Sequence, residues 1–426
     1  MRASNLGEMK STPRPGKMSV ELLRALPKTD LHLHLDGSLR PETLIELAKE
    51  RKVKLPAYSK AGLYKKVFKE QYTDLMDYLQ GFAYTTAVMR DRESLQRVSY
   101  ELCKDCQADG VRFIEIRFAP QLCTRPGFDI LDVLKAVSAG IHQAEKEFNS
   151  RAAVRNGNEP PFRAGILVCA MRFFSEAFSP TYKELLTSLA DLPREQVFGI
   201  ASETLVRTAI KARDDLGLPV VGLDLAGPEH GFPASTHRRA YEMAHEAFLG
   251  KTVHAGEDYG PESIFQAITD CRADRVGHGT MIFNAKKLAD PRVKDKKGYV
   301  EKLVRYVAER RITLEVCLTS NMQTLPAMKS LKSHPFHRML SERISVTLCT
   351  DNTLVSRTTI TEEYEKAIAA FKIDSSVLRH LLVYGFKRSF FPGSYTEKRT
   401  YVRQVLDYRD EVFAQHGFVP TSGSQS

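Results

Sequence analysis

The 426-residue sequence predicts an α/β fold, a closed (β/α)8 TIM barrel, from three observations. Short apolar runs typical of buried strands recur along the chain, and helical patterns separate them. Strands that alternate with helices form parallel βαβ units, and eight such units close a barrel. Chemically capable side chains also follow the ends of several runs, which is where such a barrel builds its active site.

The eight candidate strands leave room for a helix between most neighbours. They cover residues 29–35, 112–118, 164–171, 220–225, 252–255, 275–277, 313–317 and 345–349. Candidate helices, recognised by apolar residues at helical period, cover residues 41–51, 72–89, 93–109, 130–148, 204–215, 235–248, 261–267, 299–309, 362–371, 375–389 and 396–414.

A long insertion, residues 54–91, follows the first strand and helix. Long insertions at the rim of a barrel often form lids, so we expect a lid-like helical element there, centred on residues 72–89. Leu75, Tyr78, Leu79 and Phe82 recur at helical spacing in it. That stripe fits an apolar gate over a ligand, and it fits equally well the core face of an ordinary helix.

The sequence shows neither an internal repeat nor a long low-complexity stretch that would separate a second domain. We expect a disordered N-terminal tail over residues 1–18, a single barrel domain over 19–415 and a flexible C-terminal tail over 416–426. Nothing in the pattern decides between a monomer and a homodimer.

Composition argues against several classes of partner. The net charge is +10, but the 62 basic residues are spread among 52 acidic ones, so we expect no nucleic-acid partner. No apolar run reaches the length of a membrane helix, and no signal peptide is evident. The seven cysteines suggest reduced thiols and a cytoplasmic protein. Cys103 and Cys106 form a lone CxxC within a helical pattern, which favours packing over a zinc ribbon.

The first strand carries the first chemical signal. The run "TDLHLHLDGS" places His32, His34 and Asp36 at alternate positions, so in a strand they point the same way. Two partly buried histidines in an ordinary sheet would explain the run if it stood alone.

Other strand ends add to that signal. His254 and Glu257 lie in "HAGED", His278 lies in "RVGHG", and Asp351 precedes Asn352 in "TDN". Three histidines and a carboxylate suit a borderline metal such as zinc, with room for a bound water of lowered pKa. Glu257 is then a candidate proton donor, and His278 a candidate for orienting the water.

Seven motifs occur in order between about residues 27 and 390: "TDLHLHLDGSLRPETL", "DLAGPE", "HAGED", "RVGHG", "LTSN", "SHPF" and "TDN". As a set they resemble the metal-dependent adenosine deaminases of the amidohydrolase superfamily. The resemblance implies a small-molecule purine nucleoside as substrate and one zinc ion (Zn2+) bound by His32, His34, His254 and Asp351.

The resemblance also implies roles at the purine ring. Glu257 would protonate N1 while hydroxide adds at C6, His278 and Asp351 would orient the attacking water, and ammonia would leave to give inosine. The backbone N–H of Gly227 would face N3, and His34 and Asp36 would lie at the substrate, with Asp36 on the ribose 5′-hydroxyl.

One position departs from the animal-type pattern, in which a second aspartate contacts N7. Asn352 stands there, and a neutral amide can donate directly to N7 whereas a carboxylate must first hold a proton. We therefore expect purine binding to persist with a changed pH dependence or affinity.

The substrate within the family stays open at this point. Adenine, N6-methyl-AMP and aminodeoxyfutalosine deaminases share the fold and the reaction. The acid in "HLDG" favours a nucleoside, because the carboxylate of Asp36 would repel a 5′-phosphate.

Two other classes compete with a mononuclear deaminase. A binuclear hydrolase would use a lysine at a strand end, and "VVGLDLAG" offers none. A non-catalytic binding protein would have lost a metal ligand or Glu257, and the sequence keeps them all. The cytidine-type zinc deaminases need an HxE followed by PCxxC, which is not found here.

Overall fold

The structure is a computed structural model, and it describes residues 18–418. Its strands are β1 (Lys28–His34), β2 (Val111–Phe118), β3 (Arg163–Met171), β4 (Val220–Ala226), β5 (Gly250–Lys251), β6 (His254–Ala255), β7 (Arg275–His278), β8 (Thr313–Val316) and β9 (Val346–Leu348). All neighbouring pairs are parallel, as continuous apolar runs separated by helices predict.

The strands form one barrel. β1 to β5 and β6 to β9 are the two ladders, and β5 and β6 are halves of a single interrupted strand. The N–H of Thr252, between those halves, donates to the carbonyl of Leu223 at 3.0 Å, so pairing with β4 continues past the break. At the seam, the N–H of His34 donates to the carbonyl of Asp351 at 2.8 Å. The predicted eight-stranded barrel is confirmed, with its fifth strand broken.

The helices surround the barrel. They are α1 (Val20–Ala25), α2 (Pro41–Glu50), α3 (Lys60–Lys66), α4 (Leu75–Leu79), α5 (Phe82–Val88), α6 (Arg92–Ala108), α7 (Ile130–Asn149), α8 (Ala152–Arg155), α9 (Pro180–Ser188), α10 (Arg194–Asp214), α11 (Arg238–Glu246), α12 (Pro261–Asp270), α13 (Lys296–Glu309), α14 (Leu318–Thr324), α15 (Phe336–Ser341), α16 (Ile360–Phe371), α17 (Ser375–Arg388) and α18 (Tyr395–Gln415).

The two largest departures of the helix boundaries from the sequence pattern have local causes. The helix predicted over residues 72–89 consists of α4 and α5, because the Asp74 side chain caps α4 and Gly81, a poor helix former, lies at the break. The helix predicted from residue 204 begins at Arg194, directly after Pro193. Six short helices escaped prediction, namely α1, α3, α8, α9, α14 and α15, and all but α9 are two turns or fewer, which leaves little of a helical period to recognise.

The predicted tails fall almost wholly outside the described residues, since the structure describes neither 1–17 nor 419–426. Within residues 18–418, no helix combines the length and apolar character that crossing a bilayer requires. Cys103 and Cys106 are both buried on α6, within the main hydrophobic core.

Candidate metal centre and active site

Four side chains, from β1, from β6 and from the segment that follows β9, meet at the carboxyl-terminal rim of the barrel. His32, His34, His254 and Asp351 are buried, and one donor atom from each lies within 4.8 Å of the others. The Nε2 atoms of His34 and His254 are 3.2 Å apart, and each of His32 and His34 has Nε2 at 3.5 Å from Asp351 Oδ1. This spacing suits a small cation surrounded by nitrogen and oxygen donors.

Two buried carboxylates fix the orientation of two of these histidines. His32 Nδ1 donates to Glu315 Oε2 at 2.8 Å, and His254 Nδ1 lies 3.1 Å from Asp224 Oδ2. Each ring therefore holds its proton on Nδ1 and turns the lone pair of Nε2 towards the cluster. His32 Nε2 is buried without a hydrogen-bond partner. The donor set and its orphaned nitrogen thus fit a bound metal ion.

One guanidinium joins the two carboxylates inside the barrel. Arg117, on β2, donates to Asp224 Oδ2 at 3.0 Å and to Glu315 Oε2 at 2.9 Å. Burial alone would raise the pKa of Asp224, but His254 and Arg117 outweigh burial and hold that pKa well below its ordinary value. Burial likewise opposes ionisation of Glu315, but Arg117 and Arg275 hold its pKa well below the ordinary value, so both carboxylates can accept hydrogen bonds from the histidine rings.

Glu257 lies at the same rim, where its surroundings disfavour the ionised form of its carboxyl. Burial raises the pKa of its carboxyl well above the ordinary value, and the nearby carboxylates of Asp351 and Glu229 add to the shift. A protonated Glu257 can donate a hydrogen bond or a proton at neutral pH. Its Oε2 is 3.6 Å from His278 Nε2, so the two predicted groups face each other.

Glu229 holds the loop that carries Glu257. Its carboxylate accepts from the backbone N–H groups of Gly256 at 2.9 Å and of Glu257 at 2.8 Å, and from the Ser263 hydroxyl. Glu229 is the last residue of the motif "DLAGPE", but the sequence gives no sign of this role, because its partners lie 27 to 34 positions further along the chain.

His278 and Asp351 share an unusual backbone. Their φ angles are +61° and +65°, in the left-handed region that costs a non-glycine residue free energy. Neighbouring side chains keep Asp351 in place, since its Oδ2 accepts from the Ser320 hydroxyl at 2.6 Å. Burial opposes ionisation of Asp351, yet the His32, His278 and His34 rings hold its pKa far below the ordinary value.

A cavity of about 500 Å³ opens above the cluster, and all the predicted site residues reach it except His32, which lies beneath its floor. Asp36 is 5% exposed and its Oδ1 is 3.6 Å from His34 Nδ1. Gly227 lines the wall with φ +103°, a conformation that favours glycine. Asn352 is buried there, and its Nδ2 donates to the Tyr78 hydroxyl at 2.7 Å.

The insertion forms part of the cavity wall. Leu75, Tyr78, Leu79 and Phe82 of α4 and α5 all line it. Phe82 lies edge-on to the His34 ring, with centroids 6.3 Å apart. The stripe therefore lines the cavity wall and also packs against the core, and neither contact shows that it gates the site. Movement of these helices as a lid remains a prediction.

Comparisons with known proteins agree with this geometry. Residues 27–408 match the family described as "Adenosine deaminase". The chain is 34% identical to the adenosine deaminase of Mycolicibacterium vanbaalenii over 93% of this chain and 98% of that protein. It is 33% identical over 94% of its length to a probable adenosine deaminase of Dictyostelium discoideum, of which it spans 45%. The crystal structure of Arabidopsis N6-mAMP deaminase superimposes with a TM-score of 0.69, at 24% identity, over 91% of this chain and 99% of that one.

The barrel fold and the candidate metal ligands at its rim place the protein in the class of barrels that perform metal-dependent hydrolysis. Within that class, the chain belongs to the adenosine deaminase family and is a hydrolase.

Proposed function

We propose that this protein deaminates adenosine and 2′-deoxyadenosine to inosine and 2′-deoxyinosine, with release of ammonia, in purine salvage. One observation carries the proposal: a carboxyl group suited to donate a proton and a group of side chains suited to bind a metal ion line the same cavity. The Glu257 carboxyl, whose pKa burial raises well above its ordinary value, lines the same cavity as His34, His254 and Asp351 of the buried cluster that could hold a metal ion. Deamination of an aminopurine needs both a proton donor at the ring and a nucleophile beside it.

His32, His34, His254 and Asp351 would hold the metal, and zinc is the ion that this donor set favours. When bound, zinc lowers the pKa of water towards neutrality and so supplies a nucleophile at neutral pH. One further ring, His278, faces the site without belonging to the ligand set.

Two carboxyl groups transfer the protons, one acting in its protonated form and the other in its ionised form. Glu257 gives its proton to purine N1, which makes C6 more electrophilic while an oxygen adds there. Asp351, held ionised by its histidine neighbours, accepts the proton of the attacking water. The C6–N6 bond then breaks, Asp351 returns that proton to the amino group, which leaves as ammonia, and the proton of the new C6 hydroxyl passes to Glu257 as C6 becomes a carbonyl. His278 orients the attacking oxygen.

Substrate recognition uses the remaining cavity residues. Asp36 and His34 would contact the ribose, with Asp36 accepting from the 5′-hydroxyl. The Gly227 N–H would donate to N3, and the free N–H of the Asn352 amide would donate to N7. Because the Asp36 carboxylate is nearly buried, a 5′-phosphate beside it would be strongly repelled. This favours a nucleoside.

A second candidate is deamination of a related aminopurine, namely adenine, N6-methyl-AMP or aminodeoxyfutalosine. The likeness to an N6-mAMP deaminase structure keeps it open, because the same barrel and rim can serve several aminopurines. The negative charge of Asp36 argues against the nucleotide among them.

The proposal is tested by absorbance near the adenosine maximum, with purified protein and adenosine, deoxyadenosine, adenine, AMP and N6-methyl-AMP in parallel. We expect loss of absorbance with the two nucleosides, prevented by prior chelation and restored by zinc. Absence of turnover of every compound by zinc-loaded protein would contradict the proposal. Preference for adenine or a nucleotide would favour the second candidate.

Two further points complete the proposal. All seven cysteines are free thiols, which supports a reducing compartment, and we place the protein in the cytoplasm on that ground. We also propose one domain over residues 19–415, acting as a monomer or a homodimer on a small molecule.

A further inference from the structure

Two motifs of the sequence take no part in the proposed reaction, although their side chains lie next to it. "LTSN" supplies Asn321 on α14, and "SHPF" supplies His334 just before α15. Both side chains are buried, at 0% and 2% exposure. His334 Nε2 is 3.2 Å from Asn321 Oδ1, and Asn321 Nδ2 is 3.1 Å from His278 Nδ1. The three groups form a chain of hydrogen bonds that ends at the active site.

The direction of this chain is set at its outer end by the backbone. The N–H of Phe336 donates to His334 Nδ1 at 3.1 Å. A backbone N–H can only donate, so Nδ1 of His334 carries no proton. Burial lowers the pKa of His334 to about 3, which keeps the ring neutral. The single ring proton of His334 is therefore on Nε2.

The position of that proton determines the donor and the acceptor of the two other hydrogen bonds. His334 Nε2–H donates to an oxygen, which fixes the Asn321 amide with Oδ1 towards His334 and Nδ2 towards His278. An amide nitrogen is a donor, so His278 Nδ1 must accept. A neutral His278 then carries its proton on Nε2, the atom that faces Glu257 and is buried without a hydrogen-bond partner in the structure.

We infer that Asn321 and His334 are positioning residues that fix His278 in the Nε2–H tautomer. In this form His278 can only donate a hydrogen bond into the site. The inference rests on the proposed function for its consequence: His278 donates to the attacking oxygen and does not remove its proton, which leaves that task to Asp351.

One isosteric substitution separates this role from simple packing. In Asn321→Asp the shape is kept, but the amide donor beside His278 Nδ1 becomes a carboxylate acceptor. His278 then gains free energy by placing its proton on Nδ1, and Nε2 loses it. Gln323→Glu is the matched control, because it makes the same chemical change two residues further along α14, where the amide donates to the carbonyl of Ser356.

A third variant removes the outer donor. His334→Phe keeps an aromatic ring but cannot hold Oδ1 of Asn321, so the amide is free to turn over. We expect a mixture of the two His278 tautomers and a loss of kcat smaller than that of Asn321→Asp.

The tautomer is measured directly by NMR of zinc-loaded protein that is isotopically labelled at its histidine ring nitrogens. The His278 signals are assigned by their loss in His278→Gln. We expect a protonated Nε2 and a bare Nδ1 in the wild-type protein and in Gln323→Glu, and the reverse in Asn321→Asp. In parallel, kcat of Asn321→Asp should fall on the order of 10²- to 10⁴-fold, with zinc content and KM nearly unchanged.

The inference is overturned if wild-type His278 carries its proton on Nδ1, or if Asn321→Asp leaves Nε2 protonated. If Asn321→Asp fails to fold, the wild-type spectrum and His334→Phe still decide. A protein with the expected tautomer but without turnover of any aminopurine would contradict the proposed function and leave the positioning role standing.

Discussion

Replacing Arg117 by methionine tests whether the barrel interior controls the metal centre. The guanidinium contacts no predicted ligand, but it holds Asp224 and Glu315, which hold His254 and His32. Methionine keeps much of the volume and removes both hydrogen bonds together with the charge.

Loss of Arg117 should affect the surroundings of Asp224 more than those of Glu315. Glu315 keeps Arg275 Nε at 2.7 Å and the Thr252 hydroxyl at 3.0 Å. Asp224 loses its guanidinium and keeps His254 and the N–H of Leu225 at 2.8 Å. Breaking a buried ion pair typically costs about 3–5 kcal/mol of unfolding free energy. Loss of support behind a ligating histidine typically weakens metal binding about 10- to 100-fold, and we expect that loss at His254.

Zinc affinity is measured by competition with a chromophoric chelator, and stability by denaturant unfolding of the metal-free protein. Arg112→Met is the control, because Arg112 forms a buried pair with Glu159 that touches no predicted ligand. Both variants should lose stability, and only Arg117→Met should lose zinc affinity. Equal zinc affinity in the two folded variants would refute the role assigned to Arg117.

Three further changes have defined outcomes. Glu257→Gln should abolish turnover while zinc content by atomic emission stays at the wild-type level, and retained turnover would remove Glu257 from the mechanism. Tyr78→Phe deletes the hydroxyl that holds Asn352, so KM for adenosine should rise roughly 2- to 10-fold, the worth of one neutral hydrogen bond; an unchanged KM would show that this contact does not orient the amide. His237 has its pKa lowered to about 3 by burial, so the folded ring stays neutral while the unfolded one protonates below its ordinary pKa. The stability that His237 contributes is full above that ordinary pKa and is lost as pH falls, by about 2 kcal/mol at about pH 5. Denaturant unfolding of His237→Gln against wild type should show this loss only in the wild type, and equal pH dependence would contradict it.

The barrel could be predicted because each strand leaves a local signal. A parallel strand covered on both faces is a continuous apolar run, and the runs at β2, β3 and β4 match the structure within one or two residues. The fifth strand was predicted over residues 252–255, but its first half at Gly250–Lys251 and the break after it could not be predicted in this way. Its two halves contain two residues each, and only their pairing with β4 and β7 makes them a strand.

The candidate metal ligands could be predicted for a related reason. Side chains that follow strand ends share one rim, whatever their separation along the chain. His32 and Asp351 could therefore be placed together although more than 300 positions separate them. The charged side chains that hold the histidine rings from inside the barrel could not be predicted. Arg117, Asp224 and Glu315 lie within strands, where a charged residue in an apolar run gives no sign of which partner it meets across the barrel.

Asn352 shows how a side chain packed behind the cavity wall changes the interpretation of a residue that lines the cavity. From the sequence it is an aspartate replaced by an amide, and both of its N–H groups are free to donate. In the structure Tyr78, from an insertion 274 positions earlier, accepts one of them. The Tyr78 hydroxyl is also 2.8 Å from the Ser356 hydroxyl, while Asn352 Oδ1 is buried without a partner. A carboxylate at this position would lie beside the ionised Asp351, and a neutral amide avoids that repulsion. The amide and the tyrosine therefore form one hydrogen-bonded unit, so a substitution of either residue changes the surroundings of the other.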